Sequence, residues 1–224
     1  MEDYRRKGMT IAFLGTSTEA KRFFILTMAK ILMAHHRTRI FSTVPYHYGD
    51  ITDTVYDYCG VEIHQFNKEE GLDQALKPED YNLLDLEEYL PLAEGFQAVA
   101  LCEPSRHYLE QCVKLAGAFS WVHPTLEIKI IYLNLLEFSK VNKRYLDLFW
   151  ERSVPSFTKL EESYPLYFEE SNQAAMLETQ FSDRLLIKTL TPSYKAALRE
   201  LIQRLFQLDA KVIKSLIKKA ERMK

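Results

Sequence analysis

The sequence predicts a three-layer α/β fold with a mostly parallel sheet and a helical C-terminus. Three observations predict it. The chain opens with a strand, a short polar loop, a long helix and a second strand; apolar runs of strand length then alternate with helical periods; and the last third is mainly helical.

The first strand is the apolar run Met9 to Leu14, followed by the polar stretch Gly15-Thr-Ser-Thr18. A helical period follows, with Phe23, Phe24, Leu26, Ala29, Ile31 and Met33 giving a broad apolar face, and His35, His36 and Arg37 suit the negative end of its dipole. The second strand covers Arg39 to Val44 and ends at Pro45. Further strands are expected at Val61–Phe66, Tyr81–Asp85, Gln97–Cys102 and Glu127–Leu133, with a weaker one at Pro165–Phe168. Ser105 is a natural N-cap for a helix over Arg106 to Phe119, and Asn142 to Arg152 forms another. Thr191-Pro192 opens the C-terminal helical segment, with Pro192 at a first-turn position.

Composition bounds the function. The 224 residues are 47% hydrophobic and 27% charged, with 7 glycines and 8 prolines, which excludes a disordered or collagen-like chain. We read one α/β domain over residues 1–224, with residues 191–224 as its helical end, since neither a repeat nor a compositional break divides the chain. A net charge of -2 removes the bulk electrostatic argument for nucleic acid. Cys59, Cys102 and Cys112 form no C-x-x-C pair or even framework, which points to a reducing, cytoplasmic setting. The charged residues at the N-terminus lead into no cleavage pattern, and no apolar run has the length of a membrane span.

The loop after the first strand is the chemically suggestive feature. A phosphate-binding loop reads G-x-x-x-x-G-K-[ST], because glycines let backbone N–H groups converge on phosphate while the lysine reaches its terminal oxygens. The segment here is Gly15, Thr16, Ser17, Thr18, Glu19, Ala20, Lys21 and Arg22. Gly15 and Lys21 keep the spacing and the strand-to-helix context. Ala20 replaces the second glycine, Arg22 replaces the magnesium-binding hydroxyl, and Glu19 adds a carboxylate that repels polyphosphate unless it is paired.

On these residues, with the following helix and the strand Arg39–Val44, the chain resembles the ParA/MinD family of P-loop ATPases, and within it the CpaE/TadZ type of pilus-assembly positioning protein. The resemblance extends through Asp80–Asp85, Val99–Pro104 and Ile128–Asn134. It implies a P-loop NTPase-like fold, a dimer that binds ATP with magnesium through Gly15 to Lys21, an aspartate at Asp85 facing the metal, and Asn134 near the base. The family's signature lysine would fall at position 16, which is Thr16, and its aspartate at the end of the second strand is missing from Ser42–Pro45. Phosphoryl transfer depends on such positioned charges, so hydrolysis is expected to be absent.

The leading expectation is therefore a non-catalytic scaffold or positioning protein of a bacterial pilus or secretion assembly, without a cofactor and acting through protein partners, itself included. An ATP-switched dimer of the same fold is the alternative. A third reading is an unrelated α/β adaptor, in which Thr18 caps a helix and Lys21 and Arg22 are solvated.

Other residues carry competing readings. Asp85-Leu-Glu-Glu88 reads foremost as a solvated helix start, and the six histidines show no metal-ligand spacing. Tyr46, Tyr48, Tyr56 and Tyr58, with the intervening stretch from Gly49, suit either an interface or a cover for the core. At the C-terminus, Leu216 and Ile217 lie on an apolar stripe opposite Lys211, Lys214, Lys218 and Lys219. Such a helix lies on an anionic membrane at the inner face of the cell envelope, as terminal helices do in some members of the resembled family, or it packs on its own sheet or a partner.

Overall fold

The computed structural model describes residues 8–48, 53–66, 72–182 and 184–223. Eight strands form one sheet: β1 (Met9–Leu14), β2 (Thr38–Ser42), β3 (Val55–Tyr58), β4 (Val61–Gln65), β5 (Tyr81–Leu86), β6 (Gln97–Cys102), β7 (Glu127–Leu135) and β8 (Lys159–Tyr167). Their spatial order is β3-β4-β2-β5-β1-β6-β7-β8, and all neighbours are parallel except the β3–β4 hairpin. The helices are α1 (Glu19–Met33), the single turn α2 (Leu72–Ala75), α3 (Arg106–Val122), α4 (Lys143–Ser153), α5 (Glu170–Gln180), α6 (Pro192–Phe206) and α7 (Ala210–Ala220).

Parallel strands covered on both faces must be apolar on both, and β1 and β5 are accordingly near-continuous apolar runs. Ile11, Phe13, Leu83, Val99 and Leu133 face one core, which also holds α1, α5, α6 and α7. Ala12, Leu14, Leu84, Ala100 and Tyr132 face the other, filled by α3 and α4 and centred on the fully buried Trp150. The expected three layers are present. Chain order reverses at β1, with β2 to β5 on one side and β6 to β8 on the other. In open α/β sheets, the carboxyl ends of strands at such a reversal form the natural binding crevice.

α1 is buried almost all round, because α7 and α5 cover the side that the sheet leaves. This corrects one reading of the C-terminus. The stripe of α7, with Ile213, Leu216 and Ile217, packs into the core of the chain, so Leu216 and Ile217 present no apolar face to lipid or a partner, while Lys211, Lys214, Lys218 and Lys219 stay exposed. Among the described residues, no helix is long and apolar enough to cross a membrane. The C-terminal segment is two helices, divided after Phe206 by Gln207, whose φ of 52° stops α6, and restarted by Asp209, whose side chain caps α7.

At the amino ends of β2 and β4, Glu62 joins Arg37, Arg39 and His64, while Arg39 also meets Asp80 at 2.6 Å. Partial burial works to raise the Glu62 carboxyl, but hydrogen bonds from Arg37 and His64 and the charge of Arg39 prevail and hold it down at about 2. A depressed carboxylate contributes stability that is present above its unfolded pKa, near 4.5, and lost as pH falls through about 2. Glu62→Gln is expected to cost about 1 kcal/mol at pH 7, after screening of these partly exposed charges. Urea titrations at pH 7, 4 and 2.5 should show that difference shrinking below pH 4.5; a constant difference would contradict the assignment.

Candidate functional site

The loop between β1 and α1 lies at the carboxyl end of the central strand. Gly15 has φ 128°, and a Cβ there would meet the Leu101 carbonyl oxygen at 2.5 Å and Cys112 Sγ at 3.1 Å. The turn is thus set by close approach to β6 and α3, with the Cys112 thiol donating to the Leu14 carbonyl at 3.3 Å. Thr18 is the N-cap of α1, its hydroxyl accepting from the Lys21 N–H at 3.3 Å.

Lys21 is fully buried. Its Nζ lies 2.7 Å from Asp85 Oδ1 and donates to the Gly15 carbonyl at 2.6 Å and the Leu86 carbonyl at 3.2 Å. Three partners match the three donors of an ammonium group. Asp85 is equally buried, and its other oxygen accepts from the Ser17 hydroxyl at 2.6 Å. Two expectations are corrected here. Lys21 is not solvated, and Asp85 does not open a helix: it is the next-to-last residue of β5, one of the strands flanking β1.

Carboxylates also engage the loop itself. The Ser17 backbone N–H donates to the carboxylate of Glu87, which is otherwise exposed. Arg22 binds the Glu19 carboxylate and donates to the Pro45 carbonyl at 2.9 Å, while the other Glu19 oxygen accepts from Gln180 Nε2 at 2.8 Å. The Arg22 side chain is only 12% exposed, so the solvated reading fails for it as well. Tyr46 and Tyr48 prove to be core: both rings are buried, and burial foremost, then the charge of Asp85 for Tyr46 and of Glu19 for Tyr48, pushes their phenols up. The two tyrosines therefore stay neutral and wall the loop from the β2 side. Residues 49–52 of that stretch lie outside the described residues.

Asn134 has φ 53° at an irregularity in β7, and its amide donates to Glu103 at 3.4 Å. It borders a void of about 20 Å³ with Ala20, Phe23 and Tyr194. That is room for about one water. Thr16 is half-buried, with its carbonyl accepting from the Thr18 N–H at 2.9 Å. Among the described residues, no three His, Cys, Asp or Glu side chains converge on a point that could hold a metal.

A magnesium nucleotide would need the lysine free to face phosphate, loop N–H groups open to oxygen, and a hydroxyl at the first turn of α1 to hold the cation. In this arrangement the lysine is neutralised by Asp85, the Ser17 N–H is taken by Glu87, and the hydroxyl position carries a guanidinium. The residues present do not fit the group. The fold brings Gly15, Ser17, Lys21 and Asp85 together; Glu87, Gln180 and Tyr46, which complete the cluster, carry no local signal that distinguishes them from surface or core residues.

No protein-family model matches the chain, and no curated protein matches it by sequence. Solved structures do. McdA from Cyanothece, in a complex with ATP, superposes with a TM-score of 0.62 at 13% identity over 90% of this chain and 97% of that one. MinD from Aquifex aeolicus, in its complex with MinC, gives 0.59 at 11% identity, again over 90% of this chain and 97% of that one. The fold is that of the MinD/ParA ATPases. MinD from Pyrococcus horikoshii, solved with Mg-ADP, gives 0.51 at 12% identity over 87% of this chain and 95% of that one. At these identities the likeness is one of fold, and the MinD/ParA-like frame here encloses a loop whose charges are already paired.

Proposed function

We propose that this protein is a non-catalytic scaffold or positioning subunit on a MinD/ParA-like frame, working through protein contacts without nucleotide. The observation that carries the reading is the fully buried Lys21–Asp85 pair at 2.7 Å. A lysine with all three donors engaged inside the protein must break an ion pair before it can meet phosphate. The resemblance to CpaE/TadZ-type proteins motivates a setting in a bacterial pilus or secretion assembly. Exposed apolar side chains after β7 and β8, namely Leu136, Phe138 and Phe168, support a protein-facing role, with Phe138 97% exposed.

Isothermal titration with ATP and ADP, with and without magnesium, is expected to give no heat of binding. Magnesium-dependent binding that disappears in Lys21→Met would overturn the proposal. It would favour the second reading, an ATP-switched homodimer, which draws its support from the spacing of Gly15 and Lys21 and from the ATP and Mg-ADP held by two of the structural neighbours.

A further inference from the structure

Charge is distributed unevenly in this chain. The net charge is -2, yet residues 191–224 carry nine Lys and Arg against three Asp and Glu. Most of that stretch forms α6 and α7, and because the apolar stripe of α7 is turned into the core, its lysines are turned out. Lys195 and Arg199 stand four residues apart on α6, as do Lys214 and Lys218 on α7, a spacing of about 6 Å along each axis.

The two rows line a groove of about 230 Å³ between the helices, with the exposed Pro192 and Ala196 among its apolar lining residues. Lys195 is answered within the protein, by Glu221 at 2.6 Å and the Lys188 carbonyl at 3.0 Å. Among the described residues, Arg199, Lys214 and Lys218 are exposed and make no ion pair. Three uncompensated cations thus face a narrow groove with apolar lining, in a protein that is otherwise acidic.

We propose that this groove docks an acidic amphipathic segment of a partner protein, its carboxylates meeting both cationic rows and its apolar side chains covering the exposed Pro192 and Ala196. Shape and charge favour this occupant. The groove's cations span only about one helical turn on each helix, and the net negative remainder of the chain would repel an extended polyanion. A lipid surface would require an exposed apolar stripe to insert, and the stripe of α7 is inside. The groove shares no residue with the loop after β1, so its cations are present whether or not that loop binds nucleotide.

The test is fluorescence anisotropy with the full chain and a labelled synthetic helix of about 14 residues, Leu at positions i, i+3, i+4 and i+7 and Glu elsewhere, beside the same peptide with Gln for Glu. The Glu peptide is expected to bind, at least tenfold more weakly in 300 mM than in 50 mM salt, and the Gln peptide not to bind. Lys214→Gln with Lys218→Gln, and separately Arg199→Gln, should weaken binding at least tenfold with an unchanged melting temperature, since all three side chains are exposed. Equal binding of both peptides, or binding indifferent to the three substitutions, would overturn the proposal. So would a wild-type preference for duplex DNA or phosphatidylserine vesicles that the same substitutions abolish.

Discussion

Lys21→Met is expected to lower the free energy of unfolding by about 3–5 kcal/mol, because it leaves the Asp85 carboxylate buried without its counter-charge. The reason is the asymmetry of buried ion pairs: the intact pair adds little net stability, but removing one partner leaves a desolvated charge with nothing to offset it. Asp85 would keep the Ser17 hydroxyl, a single neutral donor in place of an ammonium. Adding Asp85→Asn to Lys21→Met should recover at least half of the loss, since the amide retains an acceptor for Ser17 and carries no charge. Urea unfolding of the wild type, both single variants and the pair gives the coupling directly. A lysine held for phosphate would behave otherwise: its loss would abolish ligand binding and leave the unfolding midpoint near wild type. The experiment therefore separates a lysine that holds the protein together from one that waits for a ligand.

The parts of this fold that were legible in sequence are those whose neighbours are local or whose burial is complete. β1 and β6 are buried on both faces and read as nearly continuous apolar runs, β2 and β5 show through the apolar pairs Ile40-Phe41 and Leu83-Leu84, and α3 announces itself through Ser105 and helical spacing. β3 was not legible: it is four residues at the sheet edge, with exposed Val55 and Asp57, joined to β4 by a tight turn at Cys59 and Gly60 with φ of 53° and 83°. The pair Cys-Gly is a weaker turn signal than Asn-Gly, although Asp57 accepting from the Gly60 N–H is its local mark. α5 escaped because what it buries is Asn172, Ala175, Met176 and Thr179, a face too small and polar to show as an apolar stripe.

The candidate site divides in the same way. The strand-to-helix loop and its departures from a phosphate loop could be read from Gly15 to Arg22, since that pattern is contiguous. Its closure could not, because Lys21 and Asp85 are 64 positions apart and Glu19 meets Gln180 across 161. Asp85 misleads locally: Asp-Leu-Glu-Glu has the composition of a helix start, and only the register of β5 beside β1 places it opposite the loop. An acid at the end of a buried strand is stable there because Lys21 and Ser17 answer both oxygens.

Gly15→Ala should destabilise the protein by about 3 kcal/mol or more, through a backbone conformation closed to L side chains combined with a backbone collision. At φ 128° the new Cβ would lie 2.5 Å from the Leu101 carbonyl oxygen, an atom fixed in the β6 ladder, and Cys112 Sγ at 3.1 Å blocks retreat toward α3. Neither neighbour is the free end of a flexible chain, so relief requires β1 and β6 to part. Ala20→Gly is the informative partner. It restores the second glycine of the phosphate-loop pattern, but Ala20 lies in the first turn of α1, where glycine costs about 1 kcal/mol in backbone entropy and gains no contact. If glycines in this loop served a phosphate, Ala20→Gly would tighten nucleotide binding and Gly15→Ala would abolish it at little expense to stability. If Gly15 serves the packing of β1 on β6 and α3, denaturation midpoints will fall sharply for Gly15→Ala and slightly for Ala20→Gly, with no change in response to ATP. The second pattern is the expected one, since the atom that excludes a side chain at Gly15 belongs to the protein itself.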